Sequence, residues 1–338
     1  MMKRFGLLFA FMMAAVQPVF AEYYEREGNY LYKVTPYTEL WSTADGVKVT
    51  AELAHKAMTS TLASMMKSRI LPEAVMNRDD LERFRKSQED MDDLVIYLND
   101  FIKEQRARGG KLEKIDILPD GLILFGGHKF SINMGKGVGA SAVAGLVIMP
   151  VKVAKIDIRT NQTVEEYASL RTSFVGWPSV DVGLGIGGGA RWRVGLGAIW
   201  DLNKALVKPD QFWGVGPGLS WSPVTMGVGL NAKAGVLSNW EMPGWVDFAF
   251  AAVALEVGPT AELGTPRLNM TTIMKGEAVM GLFEKSQQDI YKNTQKVIAR
   301  EIDKAMRERA GLTPGRSTDD DEDNADTPNP ELPEKRRP

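Results

Sequence analysis

The chain has 338 residues, 44% hydrophobic and 25% charged, with a formal net charge of −2 and no cysteine. This balance gives no general attraction to nucleic acid, and the absence of thiols excludes disulfide staples, thiolate metal sites and cysteine-based redox chemistry. Glycine, at 33 residues, and tryptophan, at 8, are the types whose positions are most informative.

Residues 1–21 read as a cleaved export signal. Lys3 and Arg4 precede the apolar run Phe5–Val16, Gln17-Pro18 breaks it, and Val19-Phe20-Ala21 offers a cleavage site. The run is shorter than the roughly 20 residues a spanning helix needs. The expected address is therefore the outer membrane or the periplasm.

Residues 22–110 form an aromatic segment followed by a helical hairpin. Tyr23, Tyr24, Tyr30, Tyr32, Tyr37 and Trp41 lie close together, and Tyr30–Val34 suits a short strand. Residues 50–70 predict a helix that Pro72 closes. The next helix has Asn77 as its N-cap, with Asp79, Asp80 and Glu82 in the first turn. Its apolar stripe runs through Leu81, Phe84, Met91, Leu94, Leu98 and Ile102 to the stop at Gly109-Gly110.

From 111 to 265 the period changes from 3.6 towards 2. The expected strands are 114–117, 122–125, 128–134, 138–147, 151–159, 180–186, 190–200, 211–221, 224–237 and 245–257. Short links make antiparallel pairing the default. Residues 266–312 are assigned to a C-terminal helical region, with helix from about Thr272 to Arg309 and a stripe of Phe283, Ile290, Val297, Ile298, Ile302 and Met306. The acidic tail 313–338 has too few apolar residues to order itself.

The segment "VDVGLGIGGGARWRVGLGAIW" (180–200) sets the functional reading. One parity is apolar; the other is mostly glycine, with Asp181, Arg191 and Arg193. Trp192 and Trp200 stand eight residues apart, as do Trp213 and Trp221. Eight residues of strand span about 26 Å, close to the height of the lipid-facing band of a membrane barrel, which aromatic girdles flank. These four tryptophans are the candidate girdle. A two-residue turn at Ser222-Pro223 would set Trp221 opposite Val224 and keep both apolar faces on one side.

Glycine weakens a strand unless close approach or curvature requires it, and the interior of a small barrel supplies both. Arg191 and Arg193, with Lys233 on a neighbouring glycine face, are the candidate contacts for an anion or lipid head group. The alternative is an arginine pair solvated at a strand end or neutralised by Asp181. Pro217 forfeits a ladder hydrogen bond, so its strand should be bulged or at an edge.

Signs of catalysis are weak. Gly183-x-Gly185-x-x-Gly188 lacks the helix that a dinucleotide site requires after it. The two histidines, His55 and His128, are too few for a histidine-rich metal centre, and no G-x-S-x-G turn is present. The chain is thus expected to be α+β: a central antiparallel glycine-rich meander closed or nearly closed into a barrel, an N-terminal helical hairpin and a long C-terminal amphipathic helix. Its expected role is non-enzymatic, without cofactor, metal or nucleic acid. The expected partner is a membrane or lipid, with an envelope protein as a further partner through the helices or acidic tail. Two architectures satisfy the pattern: an outer-membrane barrel with periplasmic helices, or a soluble periplasmic protein holding an apolar ligand between sheet and helices.

Overall fold

The computed structural model describes residues 22–42, 44–69, 71, 73, 75–87, 118–203, 208–222, 224–239, 246–264, 266–276, 278 and 284–312. In chain order these form β1 (Tyr23–Glu27), β2 (Tyr30–Pro36), α1 (Ala44–Lys67), α2 (Arg78–Lys86), β3 (Gly121–Asp157), β4 (Gln162–Asp201), β5 (Gly214–Trp221), β6 (Val224–Leu237), β7 (Phe248–Gly264), β8 (Arg267–Lys275) and α3 (Lys285–Arg309). The protein is α+β, and the antiparallel sheet dominates. The helix expected over 77–108 ends at Lys86, capped by Ser87; residues 88–108 of that expectation, the expected export signal, the 114–117 strand and the acidic tail lie outside the described residues.

The eight strands form one sheet in the order β1-β2-β3-β4-β7-β6-β5-β8, with a further pairing of β4 to β8. That last pairing makes a ring of β4, β7, β6, β5 and β8. A single strand can meet both ends of the series because β4 bends. On one edge it pairs with β3 along its length, from Gly121↔Ile199 to Asp157↔Gln162. On the other, residues 185–201 face β7 and residues 175–182 face β8. The bend falls at Gly187, Gly188 and Gly189, whose φ angles are 93°, 157° and 138°. At Gly188 a Cβ would come 2.3 Å from the Ser131 carbonyl oxygen, so only glycine fits.

The strands expected separately at 122–125, 128–134, 138–147 and 151–159 are one continuous strand, β3. Its glycines curve the ribbon without ending it. The first half of β4 was not expected. Its alternation is hidden because both faces are covered: Leu170 and Phe174 pack against the helices, while Val175 and Trp177 point into the ring. Likewise β8 occupies part of the expected C-terminal helical region. "RLNMTTIMK" has period 2, exposing Leu268 and Met270 and burying Asn269, Thr271 and Ile273. Helix α3 therefore begins at Lys285 rather than near Thr272.

The β5–β6 connection keeps the predicted faces but not the predicted register. Trp221 pairs with Ala232, not Val224. Gly227 has φ 72°, the β6–β7 register shifts between Met226 and Val228, and the first part of β6 pairs with β7 alone. Pro217 is not at an edge, since β5 has neighbours on both sides. It instead interrupts the β6 ladder, which stops at Gly218 and resumes as the bridge Val215↔Ser238.

Three apolar clusters hold the fold. The first joins α1, α2 and α3 to the outer face of β3 and β4 through Met58, Leu62, Phe84, Leu146, Phe174, Trp192, Val194 and Ile302. Full burial of side chains of this size stabilises by roughly 1.5–3 kcal/mol each. The second fills one end of the ring with Phe125, Trp177, Ile199, Phe212, Phe248 and Phe250. Trp177 meets Phe125 and Phe250 edge-on, at 4.8 and 5.5 Å between centroids. The third, with Val34, Val153 and Tyr167, lies in the outlying sheet of β1, β2 and the ends of β3 and β4.

The capping expectation at Asn77 holds. Its side chain accepts from the Asp80 amide, and Asp80 accepts from the Asn77 amide, both at 3.0 Å. Asp80 also meets His128 Nε2 at 2.9 Å, which pins α2 to β3. His55 is fully buried, stacked 4.9 Å from Phe84 and bonded to the Phe84 carbonyl at 2.7 Å. In α3 the buried line is Tyr291, Ile298, Ile302 and Met306, whereas Ile290 and Val297 of the predicted stripe are exposed. Asp303 fixes this helix to β4 by accepting from the Ser169 hydroxyl and pairing with Arg171 at 3.6 Å.

Candidate functional site: a charged interior behind an apolar wall

Alternation separates the ring into two chemically opposite faces. Inward positions of β4 include Asp181, Gly183, Arg191, Arg193, Gly195 and Gly197. Those of β6 include Asn231, Lys233, Gly235 and Leu237. The glycines sit where a side chain would collide: a Cβ at Gly195 would lie 2.4 Å from the Phe125 ring and 2.5 Å from the Val253 carbonyl oxygen. At Gly183 it would lie 2.5 Å from the Arg267 side chain. The predicted glycine face is therefore the inside of the ring, and its glycines leave room for large side chains from opposite strands.

One end of the interior is aromatic and aliphatic; the other is charged. Lys129, Arg191, Arg193, Lys233 and Arg267 are buried there with Asp181 and Glu256. Glu256 is the hub, with Lys129 Nζ at 3.3 Å on one oxygen and Arg191 Nη1 at 3.1 Å on the other. Lys129 also reaches the Ser222 hydroxyl at 3.4 Å, and Asn231 donates to the same hydroxyl at 2.7 Å. Around Asp181, Ser220 donates at 3.2 Å, Asn269 donates a short bond, and Lys233 Nζ stands at 3.9 Å. Lys233 also donates to Ser179 at 2.6 Å. Arg193, 1% exposed, has Nε and Nη1 without hydrogen-bond partners. Cations outnumber carboxylates among these described side chains, which suits an anion.

The three residues expected to contact an anion, Arg191, Arg193 and Lys233, are thus brought into one interior. They lie deep inside it rather than at an open mouth. Sequence reasoning missed Lys129, Glu256 and Arg267. Lys129 had a readable signal, because it and Ser131 oppose the apolar parity of Phe130 and Ile132. Glu256 did not, because both parities of β7 are apolar up to Ala254.

The outward face is the reverse. Along β4 from Phe174 to Trp200, and along β5, β6, β7 and β8, no outward position of a described residue carries a charge. Val180, Val182, Leu184, Leu219, Trp221, Val228, Leu230, Leu268 and Met270 are exposed on it. The wall continues onto the bend of β3 through Phe130, Ile132, Met134 and Val138, where Met134 is 88% exposed, and it is interrupted there by Lys136, exposed on the same parity opposite Leu184. A monomeric soluble protein seldom leaves so continuous an apolar surface open to water.

The four tryptophans expected to form a girdle do not share one environment. Trp192 is 5% exposed beneath the helices, whereas Trp221 is 50% exposed on the open wall. Trp200 is half-buried near the filled end of the ring. Trp213 is also half-buried, with Lys275 Nζ 4.9 Å from its ring centroid.

Among the described residues, no group of three or more His, Cys, Asp or Glu side chains is placed to hold a metal ion. No helix among the described residues is long and apolar enough to cross a membrane. No protein-family model, curated protein or solved structure matches this chain.

Proposed function

We propose that the chain is an exported, non-enzymatic cell-envelope protein whose ring of strands is a membrane-embedded β-barrel, with its helices on the periplasmic side of the outer membrane. The observation that carries this reading is the inverted distribution of polarity. Charged side chains are packed inside the ring, while the outward positions of β4 from Phe174 to Trp200 and of β5 to β8 are uncharged and largely aliphatic; Lys136, on the bend of β3, is an exposed charge beside them. A bilayer favours that arrangement, because a closed ring satisfies its backbone groups internally and its outer face meets hydrocarbon.

The interior is filled by Phe125, Trp177 and Phe250 at one end and by the ion-paired cluster at the other. A filled lumen supports anchoring or scaffolding rather than conduction. The test is extraction. Membranes carrying the mature chain, washed in alkaline carbonate, should retain it until detergent is added. Release by osmotic shock alone would overturn the proposal.

A second reading, a soluble periplasmic binder of an apolar ligand, draws support from the helices packed on the outer face around Trp192 and Phe174. The helices cover that part, Leu124, Leu146 and Ile148 of β3, and the edge of β7 at Leu255, and leave the rest of the wall open. A cleft beside them, next to Tyr291, is lined largely by lysines and hydroxyls. The membrane reading accounts for the uncovered wall as well, and is preferred.

A further inference from the structure

Where β8 runs out of the ring, a cleft of ≈ 320 Å³ opens between the strand end, the start of the β4 wall and helix α3. Lys275 comes from β8, Lys292 and Lys296 from successive turns of α3, and Thr172 and Ser173 from β4; Asp210 is its one carboxylate. Gln295, also lining it, has a buried Nε2 with no hydrogen-bond partner. Gly276 keeps helix and strand close, since a Cβ there would lie 2.6 Å from the Tyr291 hydroxyl oxygen.

We infer that this cleft binds a phosphate group. Three ammonium groups against one carboxylate leave an excess of positive charge. Two hydroxyls and an unsatisfied amide N–H add directional donors, the set a phosphate's several acceptor oxygens require. Its place in the fold indicates the carrier. Leu268 and Met270 lie exposed on the same strand, a few residues before Lys275, and Trp213 stacks under Lys275. If the wall lies in hydrocarbon, as proposed above, the cleft falls at the level where lipid phosphates and interfacial aromatics meet. The lipid arm of this inference rests on that reading; the phosphate site itself does not.

The test uses the full mature chain in uncharged detergent micelles, titrated calorimetrically with short-chain phosphatidic acid and, separately, with inorganic phosphate. Lys292 and Lys296 are exposed, so K292Q/K296Q leaves the core untouched. Phosphatidic acid should bind this variant about 30-fold more weakly, from the loss of two near-surface cations, while K292R/K296R should bind as wild type does. Inorganic phosphate showing the same dependence, with no added affinity for the lipid, would support the phosphate site and assign it to the free ion. Binding of both probes that is absent, or unchanged in K292Q/K296Q, overturns the inference. The two proposals fail separately. A chain that resists carbonate but binds neither probe removes only the cleft. A chain released without detergent that still binds phosphate through these lysines removes only the membrane wall.

Discussion

Replacing Leu230 by arginine separates a lipid-facing wall from a water-facing one. Leu230 lies near the middle of β6, on the outward parity, opposite Leu255 of β7, and is 56% exposed. With about 20 Å of strand on either side, it stands mid-strand on the open part of the wall, beside the edge of the helix-packed cluster at Leu255. An arginine on the lipid face of a barrel near the bilayer midplane costs roughly 2–4 kcal/mol. In water the same change would forfeit only the contacts of the covered half of the leucine, about 1 kcal/mol at most, and the guanidinium would be solvated. The measurement is a urea titration of wild-type and Leu230→Arg chains folded into phosphatidylcholine vesicles, followed by tryptophan fluorescence. A loss above about 2 kcal/mol is expected. A loss of 1 kcal/mol or less, matched in detergent-free buffer, would show that the wall faces water and refute the reasoning.

Three further outcomes follow from the interior and the outlying sheet. Gly195→Ala should destabilise by about 1–3 kcal/mol, because the added carbon meets the fixed Val253 carbonyl. Gly139→Ala, whose nearest neighbours would be at 3.4–3.6 Å, should stay within about 0.5 kcal/mol in the same unfolding assay; equal effects at the two sites would contradict the packing described. Glu256→Gln leaves Lys129 and Arg191 buried without their common carboxylate, at a cost of about 3–5 kcal/mol. The pairing account predicts that adding Lys129→Met recovers part of that loss, and no recovery would count against it. Tyr23 and Tyr32, in the outlying sheet, are both pushed up to about 12 by burial. The unfolded chain ionises near pH 10 while the folded one holds its protons, so their contribution is complete below pH 10 and is lost as pH rises towards about 12. A spectrophotometric titration in which all tyrosines ionise together near pH 10 would rule this out.

Much of the central region was readable because alternation is a physical consequence of the pleat. Val180–Trp200 announced an apolar face and a glycine face, and the inward placement of Arg191, Arg193 and Lys233 follows from parity alone. The same parity held from Trp221 into β6 even though the register there differs. Register was not readable, because it depends on the positive φ of Gly227 and on which strand β6 meets beyond it. The first half of β4 was illegible for a different reason. Burial on both faces erases alternation, so Tyr167, Leu170, Phe174, Val175 and Trp177 carry no period. For β8, the polar inward residues Asn269 and Thr271 made a ring strand resemble a polar connection. Asp80 shows a similar limit. It looked like one of several solvated acids on a helix, yet it is buried between its capping amide and His128.

The polar cluster and the bare wall are best understood together. In water, each is unfavourable. Burying Arg193 and Glu256 removes their hydration, and ion pairing in the interior returns only part of it. Leaving Leu268 and Met134 exposed forfeits about 25 cal/mol for every Å² of apolar surface not covered. Helices α1 and α3 could have covered the whole wall, and they do so around Phe174, Trp192, Val194 and Leu196 and as far as Leu255 of β7, while Leu230, Leu268 and Met270 stay exposed. In hydrocarbon the balance reverses. The wall needs no cover, and charged groups are tolerated only on the inner side, each held by partners of opposite charge or by hydroxyls. That is where Lys129, Arg191 and Lys233 are found. The glycines link the two requirements. By leaving no side chain at Gly183, Gly195 and Gly197 on the inner face of β4, they make room for large side chains from the other strands, Arg267 of β8 and Phe125 of β3 among them, inside the ring.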